Sequence, residues 1–479
     1  MKGDRTLVKR DETLQFGNWH VGGTEFNLNG ILTSNYDTNE VELELYSDEP
    51  ISLPHNTDVV YGKTYKGQEF TLYDCSIQGS RSTSKFFYKV NCSYVLKGGN
   101  FASEKEINVR EVYFSVTNLN RWAFQSAVNM KLDDDSSEYV ITTKNIDDVI
   151  HKNDEFEFTI RYITLPDYDY YFTSSLKIET NTQLVINFLN PTSLTRAHSI
   201  INQVRDFISL CSDTRAYIEY VSIIPYVSEP NDFIQRIEVF GEAIDIENKE
   251  KVENLRDHKP YISLEKIKGN FNLCMQNWFK KNEKLRPVID LYLSLNYHRT
   301  SLERHFLNIV QALEAYHRLT RKNYVLPKGE HSKKMKTIIE HVPEEYQGWI
   351  KEKLAFSNEP SLHERLEELL TPTSKNGLHE GKYHHLFRLR DKEKNEIIKD
   401  IKYTRNYNTH FDEKLSKKTV KGEELHQLIA LLKNMVEFYL LTELEIDEET
   451  ILDLTWEKSN RLSIRNTVLE SIKDSNITF

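Results

Sequence analysis

Hydrophobic periodicity changes once along this chain, and the change restricts it to few architectures. Before about residue 240, apolar and polar residues alternate. Val41, Leu43 and Leu45 are separated by glutamates, and Phe156, Phe158, Ile160 and Tyr162 repeat the pattern. A period of two marks strands with one buried face. The apolar runs at 184–188 and 217–227 predict further strands. Turn chemistry separates the runs at Gly22-Gly23, Asn29-Gly30, Lys66-Gly67 and Gly98-Gly99. One segment breaks the period. Ile201, Val204, Phe207, Ile208 and Cys211 follow helical spacing, which predicts a helix packed on this β-rich region.

A charged stretch follows at 242–260 with little apolar periodicity, read as a connection or exposed helix. Beyond about residue 285 the period becomes helical. Leu302, Phe306, Ile309, Leu313 and Tyr316 form one stripe. Leu425, Leu428, Ile429, Leu432, Met435, Val436 and Tyr439 form another, suited to a bundle core. Shorter helices are expected near 333–341, 345–356 and 361–370, the last closed by Thr371-Pro372. The fold class is α+β: a β-rich region over 1–285, with a candidate subdomain break near 150, then an all-α bundle over 286–479.

Composition bounds the function. With 479 residues and 39% hydrophobic content the chain can bury real cores. A net charge of -11 argues against a general polyanion binder, so a nucleic-acid site has to be a local basic patch. Cys75, Cys92, Cys211 and Cys274 lack CxxC spacing, so no zinc ribbon or redox pair is indicated. The N-terminus has no apolar leader core and no window approaches a membrane span. A cytoplasmic protein with no membrane contact and no cofactor is expected.

One constellation carries chemistry: Arg405-Asn406-Tyr407-Asn408-Thr409-His410, the chain's only Arg-x4-His. The bare spacing arises easily by chance; the polar residue after the arginine and the helical setting make it more specific. Histidine, ordinarily titrating near about pH 6.5, can take a proton from a ribose 2′-OH or return one to a leaving oxygen. A guanidinium can hold the phosphate and stabilise its developing charge. Residues five apart lie about 140° apart around a helix. Arg405 and His410 therefore share a site only at a helix end, or across a two-fold axis with a second copy. Residues 382–421 hold twelve Lys or Arg against six acids, the footprint expected of an RNA cleft, although Lys-rich helices are often simply solvated.

On these residues the chain resembles HEPN ribonucleases. RNYNTH, between a Lys-rich helical segment and the apolar helix 425–444, is similar to their Arg-polar-x3-His signature. FLNIVQALEAYHRL (306–319) resembles the first helix of the ApeA-like HEPN branch, and VVYGKTYKGQEFTLYDC (59–75) resembles the N-terminal domain of ApeA-type abortive-infection proteins. The resemblance implies a metal-independent anti-phage endoribonuclease with a dimeric site, leaving a 2′,3′-cyclic phosphate. It makes His410 the acid/base, Arg405 the phosphate ligand and Asn406 the orienting residue. RNA is the implied partner, with tRNA plausible because its loops present unstacked bases. A phage-derived trigger would act through the N-terminal region. The rival readings are a non-catalytic dimerising scaffold with a partner-binding β domain, and a toxin silenced by a separate protein.

Other candidates are secondary. Glu314, at the edge of its stripe, is a candidate auxiliary acid or an ordinary solvated glutamate. Lys399, Lys402 and Lys414 are candidate RNA contacts, and His317-Arg318 are substrate contacts or bundle surface. HEGKYHH (379–385) lacks zincin spacing, and Asp133-Asp134-Asp135 reads as a loop. Tyr168, Tyr170, Tyr171 and Phe172 follow Leu165-Pro166, where an interrupted strand pair is expected; they form either a packing cluster or a partner-binding patch.

Overall fold

The alternating segments of the first half close into a barrel. A computed structural model describes residues 13–35, 40–82, 85–133, 138–168, 176–226, 236–244, 261–297, 300–371, 391–451 and 453–455. Strands β1 (Thr13–Val21), β2 (Asn27–Asn35), β3 (Glu40–Ser47), β4 (Asn56–Thr64), β5 (Glu69–Ser82) and β6 (Lys85–Lys97) are antiparallel neighbours in the order β6-β3-β2-β1-β4-β5. A further β5–β6 pairing closes the ring, with Cys75 opposite Cys92 and Ile77 opposite Val90. Inward positions alternate along each strand and fill the barrel with Trp19, Leu32, Leu43, Leu45, Val60, Phe70, Leu72 and Val90. Each such side chain contributes about 1.5–3 kcal/mol by leaving water.

Asn29-Gly30 does not turn the chain; both residues lie inside β2. A Cβ on Gly30 would stand 2.8 Å from the Glu44 carbonyl oxygen and 2.9 Å from Trp19 Cδ1. This glycine therefore serves close packing, not chain reversal. Lys66-Gly67 does form the β4–β5 turn, with Gly67 at φ +87°.

Strand β6 also starts an extension. Its C-terminal half pairs with β14 (Ile237–Phe240), and the sheet continues through β13 (Ile218–Pro225), β7 (Asn108–Val116), β12 (Leu176–Ser193), β11 (Phe156–Tyr168) and β10 (Val149–Lys152). Strands from both sides of residue 150 thus share one sheet. Pairing does not stop at Pro166, as the sequence led us to expect, but runs on to Tyr168 opposite Leu176. There β10 has already ended, so among the described residues β11 has a neighbour on one side only and a proline is tolerated. Helix α2 (Leu194–Ser212) follows a one-turn helix, α1 (Leu119–Trp122). It packs on β7 and β12 through Ile200, Ile201, Val204, Phe207 and Ile208. Ser193 caps it by accepting from the Arg196 amide at 3.2 Å. A separate hairpin joins β8 (Val128–Asp133) and β9 (Glu138–Thr143).

The chain divides into two compact units, Met1–Gln276 and Asn277–Phe479. After a short helix, α3 (Leu264–Ile267), the division falls within α4 (Phe271–Tyr297). The second unit is helical: α5 (Leu302–Thr320), α6 (Lys328–Glu340), α7 (Glu344–Lys353), α8 (Leu362–Leu369), α9 (Asp391–His410) and α10 (Gly422–Glu443). Both predicted stripes meet at its centre, with Phe306, Ile309, Leu313 and Tyr316 of α5 packed against α10. Tyr316 stacks on Tyr439 at 4.8 Å between centroids and donates to Glu443 at 2.9 Å. Buried Glu437 accepts from Tyr292 of α4 at 2.7 Å. All four cysteines are free and buried. No helix among the described residues is long and apolar enough to cross a membrane.

Candidate functional site

Helix α9 carries the Arg-x4-His segment on a rod anchored by Ile398, Ile401 and Thr404, all fully buried. It packs on α5 and α8. Thr404 Oγ1 accepts from the Val420 amide at 3.1 Å, tying the motif to the segment leading into α10. The helix ends at His410. Phe411 takes φ +54° and its amide reaches back to the Tyr407 carbonyl at 2.7 Å, a left-handed C-terminal stop.

Arg405 and Asn406 line a cavity of about 570 Å³. Gln311, Glu314 and Arg318 of α5 form one wall. Glu359, Pro360 and Leu362 with Arg365 of α8 form another, and Lys402 stands one turn before Asn406. Four cations thus face two carboxylates. The Arg405 guanidinium lies 3.9 Å from Glu314 and donates to Asn406 Oδ1 at 3.4 Å. Both contacts are long, so the guanidinium is loosely held and half-exposed. Thr409 instead turns back onto the Arg405 carbonyl, at 2.7 Å.

The structure sorts the sequence candidates. Glu314, Lys402, Arg405 and Asn406 share the cavity, whereas His410, Lys399 and Lys414 are exposed outside it. Arg405 and His410 of one chain therefore do not line this cavity together. Glu314 faces Arg405, unlike an ordinary solvated glutamate. Two other lysines of the basic stretch pack on rings: Lys418 over Tyr403 at 5.2 Å and Lys421 over Tyr407 at 5.6 Å. Lys382, Arg388, Arg390, the 379–385 histidines, Asp134-Asp135 and Tyr170-Tyr171-Phe172 lie outside the described residues. Among the described residues no group of three His, Cys, Asp or Glu side chains is placed to hold a metal.

His317 corrects another expectation, because it is interior and not a substrate contact or bundle surface. Arg365 donates to its Nδ1 at 3.1 Å, and Nε2 lies 2.9 Å from Glu368. A guanidinium has no acceptor, so Nδ1 must accept and Nε2–H must donate to the carboxylate. Burial pushes the His317 pKa down, outweighing Glu368. Arg365 is itself buried, and burial together with the Arg318 charge lowers its pKa. It also donates to Asn323 at 2.6 Å and lies 3.5 Å from Glu359.

Glu359 and Arg365 were not among the sequence candidates. The one available signal was Arg365 standing among Leu362, Leu366 and Leu369, a charge at a core position of a helical stripe.

Comparison with known proteins agrees with these two units. A family model described as ApeA N-terminal domain 1 matches residues 16–278, and one described as Apea-like HEPN matches residues 307–450. No curated protein and no solved structure matches the chain. Because the first match spans more than half of the sequence and the second follows it in order, the chain belongs to the ApeA family of abortive-infection, HEPN-type nucleases.

Proposed function

We propose that this protein is a metal-independent endoribonuclease of anti-phage abortive infection, cutting RNA, and tRNA in particular, in the cytoplasm. Its working form is a homodimer or higher homo-oligomer in which two copies of the α9 motif meet. The observation that carries this reading is the split within one chain. Arg405 faces a cavity with an excess of positive charge, while His410 ends the same helix outside that cavity. A second copy related by a two-fold axis supplies the missing approach.

In this mechanism Arg405 holds the scissile phosphate and Asn406 orients the guanidinium. His410 takes the proton of the ribose 2′-OH as that oxygen attacks phosphorus. The 5′-oxygen leaves with a proton returned by a histidine, and a 2′,3′-cyclic phosphate remains. Charge gathering on the non-bridging oxygens is met by the guanidinium. The β-rich unit restrains the nuclease until a phage-derived trigger engages it, and RNA loss then arrests the infected cell.

The test is RNA cleavage by purified full-length protein in EDTA, wild type beside His410→Ala, with tRNA and total RNA. Loss of a general acid/base predicts a fall of about 10²–10⁴-fold in the variant. Equal cleavage by both proteins would move the chemistry elsewhere. Cleavage that disappears with EDTA would overturn the metal-independent mechanism. Silence of both proteins, persisting after addition of infected-cell lysate, would overturn the nuclease reading itself.

A further inference from the structure

The cavity beside Arg405 contains more recognition chemistry than one phosphate requires. Arg318 and Arg365 both hold Oε2 of Glu359, at 2.6 and 3.5 Å. Its other oxygen, Oε1, bonds no described residue. Gln311 and Lys402 line the same space, and neither makes a hydrogen bond or ion pair with a described side chain. The outer cation, Arg318, is 60% exposed, whereas Arg365 is 6% exposed and pinned by His317 and Asn323. One wall is thus a carboxylate braced from behind by a fixed guanidinium, with a movable guanidinium in front.

We propose that this cavity is a base-reading subsite for an unpaired guanine next to the cleaved phosphate, with Glu359 as its specificity-determining residue. The proposal rests on the reading that the site binds RNA for cleavage. Guanine is the RNA base whose Watson–Crick edge carries two adjacent N–H donors, N1–H and N2–H, spaced to meet both oxygens of a carboxylate. Beside them O6 and N7 accept, and a guanidinium or ammonium satisfies that edge as it does in DNA grooves. Glu359 takes the donors once Arg318 releases Oε2, and Arg318 and Lys402 take the acceptors. Adenine turns the lone pair of N1 toward the carboxylate and is repelled. Ala315, Pro360 and Leu362 give the ring apolar walls. The volume falls within the range of about 300–1,000 Å³ common for ligand pockets. In a duplex the same edge is engaged in pairing, so the subsite also selects single-stranded positions.

The experiment reads binding without turnover. Labelled single-stranded RNA hexamers, identical except for guanine, inosine or adenine at one position, are titrated into full-length His410→Ala protein. The same titration is made with Glu359→Gln added. Guanine should bind about tenfold or more tighter than adenine, as one bidentate base contact provides, with inosine between them because it lacks N2–H. Glu359→Gln should bring the three within about threefold of one another. Equal binding of guanine and adenine, inosine matching guanine, or absence of hexamer binding would overturn the proposal. The inosine comparison needs no change at Glu359, so it decides the matter even if that variant folds poorly. Guanine preference in a protein that never cleaves would sink the nuclease reading and leave the subsite standing. Cleavage with no base preference would sink the subsite alone.

Discussion

At Arg365 a charge occupies a position that the helical pattern assigns to an apolar residue, and the pocket is organised around it. Its neighbour His317 gives a pH dependence with a definite sign. Burial holds the His317 pKa below its ordinary value of about 6.5, so between those two values the unfolded chain binds more protons. The stability due to neutral His317 is complete above about pH 6.5 and is lost as pH falls through the lowered folded value. His151, lowered by burial despite its bond to Asn272, acts in the same direction. The urea midpoint should therefore drop on going from about pH 7.5 to about pH 5.5, less steeply in His317→Gln. An unchanged slope in that variant would remove His317 from the account. At this scale the candidate site was legible where its residues are clustered. Arg405, Asn406 and His410 sit within six residues, whereas Arg318 reaches Glu359 and Arg365 only after α5 has packed on α8.

At the scale of elements, the helices were readable because their signals are local. Ser361 accepts from the Glu364 amide while the Glu364 carboxylate accepts from the Ser361 amide, a capping box that starts α8 where the pattern begins. Ser361→Ala should cost about 1 kcal/mol, seen as a lower urea midpoint with an unchanged slope. The bonds of Arg365 depend on where α8 begins, so guanine selectivity should weaken along with stability. Strands were legible by alternation, but the role of glycine and proline within them was not. Asn29-Gly30 has turn composition, yet its neighbours across the barrel require a residue without a Cβ. Pro166 looks like a break, yet it falls where the sheet has already lost one neighbour. In both cases distant pairing overrode local preference.

For the whole molecule, closure of the barrel was invisible in the sequence. It depends on β6 pairing with β3, β5 and β14 at once, and alternation says nothing about which strands meet. The separation of Arg405 and His410 calls for a second copy of the motif, and the proposed dimer predicts a concentration effect. Specific cleavage activity should fall on dilution below the self-association constant, with sedimentation showing the same transition. Activity independent of concentration in a protein sedimenting as a monomer would exclude a composite site. Burial contributes a further property. It pushes Cys75 and Cys274 up to about 12 and raises Cys92 and Cys211 well above the ordinary thiol range. Thiolate is the reactive form, so the native chain should be nearly inert to maleimides and nitroxide reagents. A single cysteine introduced at exposed Lys399 should then be the only position labelled. In the proposed dimer, spin-echo distances between two such labels would map the approach of the α9 helices without first removing any native cysteine.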